Sequence, residues 1–224
     1  MCFSTEASFT AAAVLTVVGF LCIRKAPSKC LYWLAVIPLI FAFQQLFEGF
    51  LWLTIGRADA SPDLLAIEKY GFLFFALFVW PVWIPLSMFM AEKISWRKKL
   101  LALFLIAGIA YAISLSWQLF AAWQTQSPSV TIMGKSIRYA LPIEDRVSNA
   151  WNYLAVALLP PFLSSLRGIW WFGISNVIGV AVAQYFYENS FISVWCFFAA
   201  WVSLILYFVL SKNKNECNLG THHL

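Results

Sequence analysis

The sequence predicts an all-α fold of seven membrane-crossing helices. It places the N-terminus outside, the C-terminus inside and a small β-hairpin in the connection 124–148. Three observations predict it. Hydrophobic residues make up 62% of the 224 and charged residues only 11%, against roughly a quarter charged in an average soluble domain. The apolar residues fall in runs close to the roughly 20 residues that a spanning helix needs. Lys and Arg are unevenly divided between alternate connections, as cytoplasmic loops require. Mean hydropathy is +0.78, more apolar surface than a soluble fold of this size could hide. Composition also excludes a disordered chain, a disulfide-rich secreted module and a nucleic-acid binder with a dense basic surface.

The seven runs are about 7–23, 31–55, 70–91, 100–123, 149–166, 169–187 and 191–211. The first is preceded by no signal-peptide pattern, so it is expected to stay. The second is long enough to tilt. Pro81 and Pro85 interrupt the third and Pro160-Pro161 the fifth, and each proline removes a backbone donor, so kinks are expected there. Between the fourth and fifth, Ser129 to Leu141 alternates polar and apolar residues around Met133-Gly134-Lys135, the pattern of a hairpin. Residues 1–211 read as one membrane domain without internal repeats, and 212–224 as a polar cytoplasmic tail.

Orientation follows from the cations. Arg24, Lys25, Lys29, Lys93, Arg97, Lys98, Lys99, Arg167, Lys212 and Lys214 fall on one side, and Arg57, Lys69, Lys135, Arg138 and Arg146 on the other. Ten against five puts the first side in the cytoplasm. Glu92 and Glu216 share that side, whereas Glu68, Glu144, Asp145 and Glu188 join the outer one. The bacterial inner membrane is the expected location. Most of the twelve Trp residues fall near helix ends, Trp96, Trp170 and Trp171 inside and Trp117, Trp151 and Trp195 outside, as interfacial belts do.

Polar residues within spans need partners or a cavity. Gln44, Gln45 and Glu48 lie in the outer half of the second span, Gln118 in the fourth, Asn152 in the fifth, Gln184 in the sixth and Cys196 in the seventh, with Cys2 at the same level. The inner half offers mainly Ser164, Ser165, Ser175 and Asn176. This asymmetry predicts a polar cavity open to the outer face with Glu48 at its base. An acid at a helix centre costs about 2.5–3.5 kcal/mol on insertion scales, so Glu48 needs a reason: proton carrier, cation ligand, general acid/base, or a neutral tie between helices.

Much chemistry is missing. The only histidines, His222 and His223, lie in the tail, so no haem, zinc or Ser-His site is expected within the spans. No span contains a lysine for a retinal Schiff base. We expect no metal and no cofactor. The five cysteines form no C-x-x-C pair. Cys22, Cys30 and Cys217 are expected to be cytoplasmic and reduced, while Cys2 and Cys196 are outer and free to pair, ligate or react.

The run Met1-Cys2-Phe3-Ser4 with Ala7-Ser8-Phe9, the run Gln44 to Gly49 and the run Phe191 to Ala200 resemble a family of uncharacterised prokaryotic multi-pass membrane proteins beginning MCFS. The resemblance spans residues 1 to about 210 and implies membership without an activity. Three functional classes remain open on the residues themselves. One is a protein that binds or transports a small molecule or ion at Glu48, with Gln44, Gln45, Gln118, Asn152 and Gln184 as walls. Another is an intramembrane enzyme on a lipid-type substrate, with Glu48 as acid/base and Cys2 or Cys196 as nucleophile. The third is a structural or assembly subunit. The expected partners are the lipid bilayer and that small molecule or ion, with no nucleic acid.

Overall fold

The structure is a computed structural model that describes residues 4–26, 29–57, 59–122, 128–142 and 146–213. Cys2 and the tail from 214 onward lie outside the described residues. Helix α1 (Thr5–Lys25) is followed by α2 (Lys29–Ala35), α3 (Ile37–Thr54), α4 (Pro62–Phe74), α5 (Trp80–Ala91) and α6 (Ser95–Ala122). Strands β1 (Ser129–Met133) and β2 (Ser136–Ala140) precede α7 (Arg146–Leu158), α8 (Pro160–Leu163), α9 (Ile169–Phe186), α10 (Phe191–Val202) and α11 (Ile205–Lys212). Six stretches are long and apolar enough to cross a membrane: Thr5–Lys25, Lys29–Thr54, Pro62–Ala91, Ser95–Ala121, Ile169–Phe186 and Glu188–Lys212. They mark the chain as an integral membrane protein.

Among the described residues the expected fifth span is an apolar helix, Ala150–Leu163. Its proline pair divides it into α7 and α8. Pro160 and Pro161 supply no N–H, α7 stops at Leu158, and Phe162 N–H closes a tight turn onto the Leu159 carbonyl at 3.0 Å. The chain then leaves in extended conformation at Ser164.

The third span starts earlier than its apolar run, at Pro62. Glu68 and Lys69, expected in an outer connection, are therefore helical and buried. Glu68 accepts a hydrogen bond from Thr54 Oγ1 at 3.0 Å. Lys69 Nζ donates to the Pro128 carbonyl at 2.7 Å and ties α4 to the approach of the hairpin. Further along, Phe75–Val79 winds as a π-helix, with Trp80 N–H reaching back to the Phe75 carbonyl. Pro81 has no N–H to offer the next carbonyl, Ala76 O, and that acceptor is left for a side chain.

The hairpin forms where alternation places it. Met133 pairs with Ser136 and Ser129 with Ala140 in antiparallel register, around Gly134 at φ +62°, a backbone region that favours glycine in tight turns. Ile137 and Tyr139 turn into the protein, Tyr139 stacks on Phe72 at 4.7 Å, and Ser136 Oγ bonds Ser190 Oγ at 2.8 Å. The strands therefore cover one end of the bundle, called the hairpin end below, and α11 closes the opposite, tail end. Helices α1 and α3 run antiparallel with Gly19 against Leu39 and Gly49 against Phe9. Gly108 of α6 meets the Pro81 carbonyl so closely that a Cβ there would overlap it. The main core fills the middle and the tail end, with Leu15, Leu31, Leu34, Ile37, Met88, Leu101, Ile169 and Leu206 all sealed from solvent. By contrast, Trp117, Trp151, Trp96 and Trp171 are exposed on the outside of the bundle, as side chains at a lipid boundary would be.

Candidate functional site

Helix α3 carries Gln44, Gln45 and Glu48 fully buried at 0% exposure. The i to i+4 spacing sets Gln44 and Glu48 on one face, and that face meets α5 and α10. Glu48 accepts from Gln45 Nε2 at 3.2 Å through one oxygen. Its other oxygen accepts a short hydrogen bond from Ser193 Oγ of α10. Gln44 Oε1 accepts from Trp80 Nε1 at 2.7 Å, and the Trp80 ring stacks on Phe41 at 3.8 Å. Cys196, one turn after Ser193, is buried beside Gln44 and within electrostatic reach of Glu48. Gln44 Nε2, Gln45 Oε1 and Trp195 Nε1 are buried without a hydrogen-bond partner among the described residues. Such atoms cost about 1–3 kcal/mol each, so the network has spare capacity.

On the other face of α10 lies a half-open cavity of about 400 Å³, within the range of small-molecule sites. The hairpin residues Arg138 and Tyr139 roof it, α7 and α9 wall it, and Tyr111, Tyr153, Trp195 and Cys196 line it from α6, α7 and α10. Tyr153 explains how the proline in α5 is accommodated. Its hydroxyl donates to Ala76 O at 2.7 Å, the carbonyl that the π-segment and Pro81 leave without a backbone partner. So held, its ring packs edge-on to Trp195 at 5.3 Å and to Tyr111 at 5.8 Å. Below this aromatic group a separate void of about 30 Å³ runs between Phe41, Trp80, Ile84, Phe172, Asn176 and Ala199, room for little more than a water.

A model of the family of unknown function DUF6629 matches residues 1–219. The chain belongs to this family. No curated protein and no solved structure matches it. In this DUF6629 chain, the run Gln44 to Gly49 and the run Phe191 to Ala200 face each other, joined by the Ser193–Glu48 bond.

Within the DUF6629 fold, the expected residues do not all converge. Gln44, Gln45, Glu48 and Cys196 come together. Gln184 is exposed and lines the cavity mouth. Gln118 is half-buried, with Oε1 unpartnered among the described residues, and does not line the cavity. Asn152 is exposed and also stands outside the cavity wall. Glu48 is not at the base of the cavity, because α10 lies between them: Ile192 and Cys196 line the cavity while Ser193 turns to Glu48. Trp195, expected in the outer belt, is instead a buried cavity residue. Cys22 and Cys196 are free thiols, so Cys196 is not paired with Cys2. Cys30 is disulfide-bonded, against the reduced thiol expected at the end with most cations.

Sequence reasoning also missed the buried acid Glu92. Glu92, expected among the charges of a cytoplasmic connection, is at 2% exposure. Its carboxylate accepts from Ser165 N at 2.6 Å, Ser165 Oγ at 2.7 Å, Ile94 N at 2.8 Å and Lys93 N at 3.0 Å. Burial pushes its pKa up, but the Ser165 hydroxyl and the Ile94, Ser165 and Lys93 amides together outweigh burial and hold it below its ordinary value of 4.5. Beside it, Asn213 joins the tail end of the bundle to the loop before α9, accepting from Arg167 N and donating to Arg167 O, both at 3.0 Å. The pair Ser164 and Ser165, polar at the inner end of the expected fifth span, was the one available signal.

Proposed function

We propose that this protein binds a small molecule or ion in the cavity under the hairpin and passes it on when the aromatic group beneath it opens. In this reading the hairpin end faces outward from a bacterial inner membrane and the tail end faces the cytoplasm, in line with the distribution of Lys and Arg. The observation that carries it is the shared residue Cys196, which borders both the cavity and the Glu48–Gln44 network. A ligand in the cavity thus lies one helix thickness from a buried acid. The unpartnered Gln44, Gln45 and Trp195 atoms add groups that bound water or ligand would satisfy. The narrow void below the cavity and the sealed core of the tail end favour gated passage over a standing pore.

Native mass spectrometry of the detergent-purified chain tests this reading, with wild type beside Glu48→Gln and the cavity-filling Leu154→Trp. A species that co-purifies with wild type and is lost from Leu154→Trp supports binding in the cavity, and its loss from Glu48→Gln as well supports coupling to the acid. One observation favours a structural role instead: both Glu48 oxygens are already hydrogen-bonded. If no variant or wild type carries a species and Glu48→Gln changes only the melting temperature, the structural role holds and the binding reading is overturned.

A further inference from the structure

Four polar side chains stand at the cavity mouth without work to do inside the protein. Arg138 projects from β2, Gln184 from the end of α9, and Glu188 and Asn189 from the turn that opens α10; all four line the cavity. Their side chains make no hydrogen bond or ion pair among the described residues, although the neighbouring Ser190 is engaged with Ser136. One of the four is a cation and one an anion, yet they are not paired with each other. Deeper in, the lining turns aromatic and aliphatic: Tyr111, Tyr153, Phe191, Trp195, Leu77 and Leu154. Trp195 is 93% buried by its 7% exposure, and its Nε1 is a donor with no acceptor. A mouth with both charges and an aromatic interior matches a ligand with the same division. Cations also bind favourably over aromatic faces.

Resting on the binding reading above, we infer that the cavity takes a zwitterionic amphiphile. Its anionic group is held by Arg138, its ammonium by Glu188 with the aromatic rims, and its apolar part lies over Tyr153 and Trp195. Two sources share this chemistry: a zwitterionic phospholipid such as phosphatidylethanolamine, and a free zwitterion with an apolar body such as phenylalanine.

The test is native mass spectrometry of the full chain in detergent with four probes at equal concentration. They are phosphatidylethanolamine, phosphatidylglycerol, phenylalanine and phenylpropionate; the second and fourth keep the anion and lack the ammonium. Wild type is expected to retain a zwitterion about tenfold better than its anionic counterpart, with Arg138→Gln and Glu188→Gln each lowering retention about tenfold, as loss of a charged hydrogen bond does. Both variants alter exposed or half-buried groups, and an unchanged melting temperature confirms that they fold. Preferential retention of the phospholipid assigns the ligand to the bilayer, and of phenylalanine to a free solute; either supports the inference. Equal retention of anionic and zwitterionic probes, or no effect of the two variants, overturns it. If Leu154→Trp then still abolishes retention, binding in the cavity stands and only the charge assignment falls. Retention of no probe also overturns the inference, while the species co-purifying in the Glu48 comparison decides the broader reading separately.

Discussion

Two of the buried acids of this protein, Glu48 at the hairpin end and Glu92 at the tail end, are held in opposite ways. Glu92 meets four donors, three of them backbone N–H groups. Backbone donors are fixed by the fold, so they stabilise the anion permanently and clamp the α5–α6 connection to the loop after α8. Glu48 meets two donors, both side chains, and its neighbours leave donors and acceptors unused. Side-chain donors can turn away, so this site can exchange partners at modest cost. A saturated acid marks structure, whereas an under-filled polar network beside a cavity marks a place for something else. The difference that matters is in the donors, since both carboxylates are shielded from solvent.

The largest effect expected is on Glu92. Glu92→Ala removes the acceptor of four donors and should cost about 3 kcal/mol, read as a lower melting temperature in detergent. Glu48→Gln keeps shape and an acceptor and should cost no more than about 1 kcal/mol; an equal loss in both variants would break the comparison. Acid titration sharpens it further. Glu92 has a folded pKa below its ordinary value of 4.5, so its contribution is complete above pH 4.5 and is lost as pH falls through the folded value. Melting curves between pH 6 and 3 (about 4.5 being the carboxyl reference) should therefore fall less steeply for Glu92→Gln than for wild type. An identical acid limb in both would remove the anionic clamp.

Tyr153→Phe tests whether the hairpin end depends on its own backbone repair. The change leaves Ala76 O without its donor and should cost about 1–3 kcal/mol. Its probe binding should also change, because the hydroxyl that anchors this cavity-floor ring at Ala76 O is lost, whereas Ser165→Ala at the tail end should destabilise without altering binding. The smallest effect is expected at Asn152, exposed and outside the cavity wall. Asn152→Ala should stay within about 0.5 kcal/mol of wild type and leave retention of any ligand unchanged. A marked loss would return Asn152 to the site.

Much of this was legible before folding. Apolar runs identified the long helices, and the alternation around Gly134 identified the hairpin, because both are local patterns whose period follows from backbone geometry. Gln44, Gln45 and Glu48 were legible as a group because α-helical spacing alone sets their relation. Cys196 joined them through a depth argument. Asn152 and Gln118 share that depth but not that face; depth follows from position along a helix, and facing depends on how helices rotate against one another. Glu92 was illegible for a related reason. Beside Lys93 and Arg97 it reads as a solvated loop charge, and nothing local announces that Ser165, 73 residues later, folds over it. Arg138 likewise reads as a hairpin surface charge until the strand is laid across the cavity mouth.

By itself, then, the sequence determined the membrane class, the helical and hairpin elements, the kink at the proline pair and the presence of one acid that lipid would not tolerate alone. These follow from composition, period and the missing N–H of proline, all properties of neighbouring residues. Only the tertiary structure decided that α10 separates Glu48 from the cavity, that Tyr153 satisfies the carbonyl stranded by Pro81, and that Glu92 is a closed clamp while Glu48 is not. Each of these depends on which groups meet across helices, and the free energy of a buried polar group is set by the partners it finds there.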